Sequence, residues 1–436
     1  MKRIFTLALA ALLVFSLAAC GSQGGNANSG GSGTNNGSSA TNSASVGEAT
    51  DLTDVNGNAI PSGSAFVSFD GRSVTINAAY LIDGVDVEIT SGEYASASGS
   101  SDQVVFLVLN GGSLTIAGDD YSAVKISKTG SGASGGQVND NYNFYGINSG
   151  VVVAGSGSKA TISGAEITTE ANGSNAVVST NNAYVSISDS TIKTTGEAGS
   201  RGLHATYGGT IDADCVTITT SGRSCADLAT DRGGGTVNAS NMTLETNGAG
   251  SPLIYSTGEI NVSSSTGTAY GAQMVVVEGG SSANVTDCDF SCTGGGNRTG
   301  TSECNSTSHV IDAGGIFIYQ SFSGDASNGT DYFSAKNSTF TVKTDGVPMF
   351  YITNITAQIT LEGNTFNNMY DSDYLFILEE TDQWGNVGRN GGKATVTLTN
   401  QDFTGKNAFV GSSSSSLTVN ATDGSGTALN VVNGTW

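Results

Sequence analysis

The chain is predicted to be all-β, a right-handed parallel β-helix of roughly a dozen coils with about 25 residues per coil. Three observations predict it. The first is a repeat: Ile162-Ser-Gly-Ala-Glu-Ile167, Ile187-Ser-Asp-Ser-Thr-Ile192, Ile211-Asp-Ala-Asp-Cys-Val216 and Val237-Asn-Ala-Ser-Asn-Met242 follow one another at a nearly constant interval. A second column, Val178, Leu203, Leu228 and Leu253, recurs at that same interval. The second is the pattern inside each unit, which alternates apolar and polar with period two, as in Val216, Ile218 and Thr220. That is a strand signal. The third is composition: 62 Gly against 3 Pro in 436 residues. Proline removes a ladder donor from a stacked sheet, whereas glycine serves the turns.

The elements follow in order. Ser64–Ala117 alternates in the same manner (Phe66, Val67, Phe69; Val74, Ile76; Val85, Val87, Ile89) and is expected to form the first coils. The four repeats form the middle. Further on, Val285 and Phe290, Leu361 and Phe366, and Leu398 and Phe403 keep the apolar spacing found within each repeat, and Phe340 precedes Phe366 by one coil. No run of 3.6 periodicity follows residue 20, so no helix is expected. One coil cannot bury its apolar face alone, but stacked coils align Ile, Val and Leu into a continuous core. Ser163, Ser188, Asp212 and Asn238 sit at matched positions and are expected to form a polar ladder up the rod.

The domain organisation reads as residues 1–19, a signal peptide; 20–58, a linker; and 59–436, the β-helix. Lys2 and Arg3 precede an apolar stretch from Ile4 to Leu17 that is short for a membrane span. Leu17-Ala18-Ala19-Cys20 resembles the lipobox of bacterial lipoproteins. The resemblance implies lipidation of Cys20, cleavage before it and an extracytoplasmic, membrane-anchored, cell-surface location. Residues 21–47 carry no charge, are dominated by Gly, Ser and Asn, and read as a flexible tether of roughly 25–30 Å.

Without Lys2 and Arg3, 14 Lys+Arg face 38 Asp+Glu. An excess of this sign argues against nucleic acid as a partner and against anionic glycan held by bare charge. Calcium is the one cofactor it permits, including calcium that bridges to an acidic polysaccharide. The chain has 6 Cys. Beyond Cys20 the others are Cys215, Cys225, Cys288, Cys292 and Cys304; Cys292 reads as a buried thiol beside Phe290. Cys215–Cys225 and Cys304 with Cys288 or Cys292 are conceivable pairs, and none has zinc-site spacing.

In architecture the repeat region resembles the pectate-lyase and polygalacturonase superfamily and the rod-shaped passengers of bacterial adhesins. The catalytic motifs of those enzymes are not carried over. Galacturonide hydrolases of this fold use clustered Asp with Gly-His-Gly and Arg-x-Lys, and this chain has 2 His. His204 falls in an outward slot beside Leu203 and reads as a solvated surface residue, as does His309. Asp119 and Asp120 are adjacent and point to opposite faces if they lie in a strand. Calcium-dependent lyases need aspartates from neighbouring coils. Asp189, Asp212 and Asp214 are close enough in the repeat to share an ion, while Asp287 and Asp289 lie further on. Arg201, Arg223 and Arg232 fall near another turn.

Solenoids carry function on loops that interrupt the repeat. Such interruptions occur at 129–147, 293–308, 319–333 and 370–390. The last is the candidate site: Tyr370, Tyr374, Trp384 and Arg389 as ligand-binding residues, and Asp371, Asp373 and Asp382 as metal ligands. Aromatic planes beside carboxylates suit sugar faces and Ca²⁺. The competing reading of Tyr374 and Phe376 is packing at the wide end of the rod. Two classes of function follow: a non-enzymatic polysaccharide-binding or adhesin-like protein, and a polysaccharide lyase or glycoside hydrolase acting on uronate-rich glycans with Arg389 or Lys393 as base. A passive surface spacer is the third.

Overall fold

The computed structural model describes residues 51–98, 102–119, 123–130, 132, 138–293, 314–320, 329–344, 347–368, 374–380, 391–423 and 426–434. It is a parallel β-helix built from three ladders. The first runs from Arg72–Asp83 through Val177–Thr180 and Leu203–Thr206 to Asn430–Asn433, within a sheet of 14 strands. The second and third share a sheet of 20 strands, because Tyr184–Thr194 and Gly209–Thr220 each run through both. Strands of successive coils pair in parallel, as in Val185↔Ile211 and Phe340↔Phe366, with an isolated antiparallel bridge at Thr353↔Gly391.

Between the second and third ladders each strand turns a corner through one left-handed residue. Asp189, Cys215, Asn241, Ser264, Asp287, Asn337 and Asn400 occupy this place with φ between 45° and 55°, and Gly164 and Gly363 share it with φ of 63° and 64°. Glycine, asparagine and aspartate tolerate that region at least cost. The next residue turns inward and stitches the corner. Ser190 Oγ donates to Ser188 O (2.6 Å) and accepts from Ala165 N (3.1 Å); Ser265 and Ser338 repeat the arrangement.

The core follows the inward positions. Ile116, Ile162, Ile187 and Ile192 fill its lower half. Towards the C-terminus phenylalanines replace them, with Phe350 stacked on Phe376 (ring centroids 4.7 Å) and Phe340 on Phe366 (5.5 Å). Phe376 is therefore a core residue. Tyr374 is partly buried, 5.8 Å from Phe409 on the outer face of the first ladder. Phe376 thus takes the packing role, the second of the two the sequence allowed. At the corner between the third and first ladders Gly196, Gly222, Gly248 and Gly271 form a column. A Cβ on Gly222 would collide with the carbonyl of Gly196, and one on Gly248 with that of Gly222.

Several expectations are corrected. Gly63–Phe69 is not a coil; it pairs antiparallel with Arg72–Asp83 across the Asp70–Gly71 turn, both residues at positive φ. That is the geometry Asp-Gly hairpin turns require, and it leaves Phe66 exposed. The core also reaches back to Leu52, within the segment read as linker. The column partner of Leu203 is Val177, not Val178, and that of Leu228 is Ile254, not Leu253, because successive coils here differ in length by a single residue. Ser163 aligns with Ser188 and Asp212 with Asn238, as expected, but Ser188 aligns with Asp214 rather than Asp212, a two-residue slip at one step of the ladder. A slip of two keeps every side chain on its face, so apolar periodicity cannot detect it.

A short helix, α1 (Asp140–Tyr145), lies in the first interruption. Asn139 caps its start and Gly146, at φ 67°, ends it. So short a helix does not register as 3.6 periodicity. Tyr142, Phe144 and Tyr145 pack over Val152 and Val178 on the outer face of the first ladder.

Candidate functional site

An open groove of about 570 Å³ runs along the outer face of the second ladder. Alternation makes it. Ile187, Ala213, Ala239 and Val262 carry the strands, while the residues on either side point outward, so each coil contributes two short polar side chains. The first outward row is Ser186, Asp212, Asn238, Asn261, Asn284 and Ser334, and the second is Ser188, Asp214, Ser240, Ser263 and Thr286.

The first row is a hydrogen-bonded ladder. Tyr184 Oη donates to Asp212 Oδ2 (2.7 Å), Asn238 Nδ2 to Asp212 Oδ1 (2.8 Å), Asn261 Nδ2 to Asn238 Oδ1 (2.8 Å), Asn284 Nδ2 to Asn261 Oδ1 (2.7 Å) and Ser334 Oγ to Asn284 Oδ1 (2.5 Å). Each bond fixes an amide plane, and each carbonyl oxygen that accepts once keeps a second lone pair. In the second row Asp214 Oδ1 accepts from Ser240 (2.6 Å) and Asn241 (2.7 Å), and these donors hold its carboxyl below the usual range. The groove is thus a preorganised strip of amide, hydroxyl and carboxylate groups. Asp189, Asp212 and Asp214 do not meet around an ion: among the described residues no three His, Cys, Asp or Glu side chains form such a group. Asp189 is the left-handed corner residue.

A second polar cluster lies on the outer face of the first ladder, beneath α1. His204 is fully buried rather than solvated. Its slot is outward, as the alternation implies, but α1 covers that face. Arg201 Nη2 is 3.2 Å from Asp231 Oδ2, and its Nη1 donates to Asn143 Oδ1 at 3.2 Å. His204 Nε2 lies 3.8 Å from the same Asp231 oxygen. Burial brings the imidazole down to about 4, with the Arg201 charge adding to the shift against Asp231.

Further along that face Tyr255 and Tyr319 both donate to Glu278 Oε2, the latter at 2.7 Å. Burial and the Glu278 charge push the Tyr255 hydroxyl well above its ordinary value. Nearby, Asp331 accepts from Gly280 N (2.6 Å) and Ser281 N (3.1 Å), and burial raises its carboxyl to about 7. The Glu278 carboxylate thus accepts from two phenols on the same oxygen.

Of the candidate residues drawn from the sequence, Tyr370, Asp371, Asp373, Asp382, Trp384 and Arg389 lie outside the described residues, as do Cys20, Cys304, His309 and Asp120. Cys215 and Cys225 do not pair: the first is exposed at the corner, the second buried on the opposite side with its Sγ 3.1 Å from Arg223 O. Cys292 is buried beside Phe290, as expected. Asn261 and Asn284 escape the sequence reading. Their signal is present: Val237-Asn238-Ala239, Ile260-Asn261-Val262 and Ala283-Asn284-Val285 repeat an asparagine between apolar residues, at an interval slightly shorter than that of the earlier coils.

No protein-family model matches the chain, and no curated protein matches it. Among solved structures, the chain is similar to an alginate lyase from Paenibacillus sp. str. FPU-7, at 13% identity and a TM-score of 0.31 over 66% of this chain and 91% of that one.

Proposed function

We propose that this protein is a lipid-anchored, extracytoplasmic β-helix that binds polysaccharide through the groove on its second ladder. One observation carries the reading: an unbroken ladder of oriented amide, hydroxyl and carboxylate groups along a concave strip, repeated once per coil. Glycans are strings of hydroxyls at a regular step, and a row of fixed donors and acceptors complements them. A passive spacer has no use for such a groove. The membrane anchor rests on the Lys2-Arg3 start, the Leu17–Cys20 motif and the uncharged tether.

A second reading, cleavage of a uronate-rich glycan, is favoured by the Tyr255–Glu278–Tyr319 arrangement. One experiment addresses both. The full chain is mixed with a panel of polysaccharides, with and without Ca²⁺, and both retention and new reducing or unsaturated ends are recorded. Retention without products supports binding. Products that disappear in Tyr255→Phe would replace it with catalysis, and neither retention nor products would overturn the glycan reading altogether.

A further inference from the structure

Two exposed tyrosines flank the polar row, one on its first coil and one on its last, and they stand in register. The outward position just before the first row reads Tyr184, Thr210, Thr236, Glu259, Ser282 and Tyr332 through successive coils. Tyr184 is 41% exposed and Tyr332 49%. Five coil steps of about 4.8 Å separate them, roughly 24 Å along the rod. Between them the position carries only Thr, Ser and Glu. The Tyr184 hydroxyl bonds to Asp212 on the next coil, so its ring leans along the rod beside the row rather than away from it. Aromatic faces at both ends of a polar strip, with a coil spacing comparable to the length of one pyranose unit, suit an extended chain lying parallel to the rod axis.

The charge of the lining selects among such chains. It contains two carboxylates, Asp212 and Asp214, and no lysine, arginine or histidine. Among the described residues the nearest cations in the register are Lys159, one coil below Tyr184, and Lys336, one coil above Thr286. Lys336 is engaged by Glu362 at 2.8 Å. The chain as a whole has a net charge of -22. A polyuronate laid in this groove would place its carboxylates against Asp212 and Asp214 with nothing to balance them. Like charges so juxtaposed disfavour binding. A neutral chain meets only groups that bond to hydroxyls.

We infer that the groove takes a neutral polysaccharide with an extended backbone, stacked at its two ends on Tyr184 and Tyr332. The inference rests on the reading of the groove as a glycan site. The test uses the full chain and insoluble cellulose and mannan as neutral probes, with alginate and polygalacturonate as uronate probes, each in EDTA and in Ca²⁺. Retention on a neutral probe in EDTA is expected, with weak or no retention on uronates. Tyr184→Ala and Tyr332→Ala should each weaken retention roughly three- to tenfold. Both residues are exposed, so folding should be unaffected, as a matching melting temperature would verify. Soluble neutral oligosaccharides should compete poorly until they span both tyrosines, and the penalty of Tyr332→Ala should vanish for short ones anchored at Tyr184. Retention on uronates but not on neutral probes would overturn the neutral specificity and leave the polysaccharide reading standing. Retention on neutral probes that is indifferent to both tyrosines would overturn the end-stacking arrangement. Retention on nothing would overturn the polysaccharide reading itself.

Discussion

Arg232 lies over the ring of Phe144, its guanidinium carbon 4.1 Å from the ring centroid, while its Nη1 meets Asp140 Oδ2 at 3.1 Å. One side chain from the turn that follows Leu228–Thr230 of the first ladder thus holds α1 by its face and by its first residue. Arg232 and Asp140 are both partly solvated, so the contribution to global stability is small, about 1 kcal/mol or less. The local effect is larger. Arg232→Ala should speed hydrogen exchange of amides in 140–147 while leaving strands elsewhere protected. Unchanged exchange in α1 would show that the apolar contacts of Tyr142 and Tyr145 suffice.

Lys128 is fully buried at a position where other coils place Thr169, Thr194, Thr220 and Thr246. Its ammonium reaches Thr129 O and Ser96 Oγ, and burial lowers it to about 8. The folded state therefore binds this proton less tightly than the unfolded chain. Stability should rise as pH increases from about 8 towards 10.5 and carry the full penalty below 8, roughly 3 kcal/mol. Lys128→Met should raise the melting temperature at pH 7 and flatten that alkaline rise in calorimetry.

Asp331 has the opposite sign. Its carboxyl is raised to about 7, so the folded state holds the proton more tightly than the unfolded one. The resulting stability is complete below about pH 4 and lost as pH rises to about 7, a change on the order of a few kcal/mol. Asp331→Asn keeps an acceptor for Gly280 N and Ser281 N and removes the charge. Denaturant melts should find it more stable than the parent at pH 8 and no more stable at pH 4.

Gly222 lies in the glycine column at the corner between the third and first ladders, where a Cβ meets the backbone of the coil below. Backbone cannot move aside as a flexible side chain can. Gly222→Ala should cost about 2–4 kcal/mol, measurable by urea denaturation. Gly250→Ala offers a contrast: it has open space but a φ of 65°, so its smaller cost would be backbone strain alone.

How far the sequence discloses this molecule depends on which symmetry is read. The apolar alternation and the coil-length period determine the solenoid, because only inward columns can be buried. Register is another matter. The motif repeat matches Ile211 to Ile187, but the structure pairs it with Val185, and both choices put an apolar side chain inward. Only the turn residue breaks that ambiguity, and Asp189, Cys215 and Asn241 share no side-chain chemistry that marks them as equivalent. Alternation assigns His204 to the correct face; its burial comes from α1, more than two coils earlier in the chain, a contact no local pattern encodes. The polar row is half visible, through Asp212 and Asn238, and is lost where the coils shorten towards Asn261 and Asn284.

The left-handed corner has a consequence for how such a chain can change. Within the ladders each strand pairs only with the coils above and below it, and the left-handed place at the corner is filled by residues as different as Asp189, Cys215 and Asn241. Past Arg232, the last residue that clasps α1, a complete coil can therefore be duplicated or deleted without retuning the others, much as a link is added to a chain. The polar row would lengthen or shorten by one rung each time, so the reach of the surface between Tyr184 and Tyr332 is quantised in single coils, and related rods of different lengths would measure out different spans.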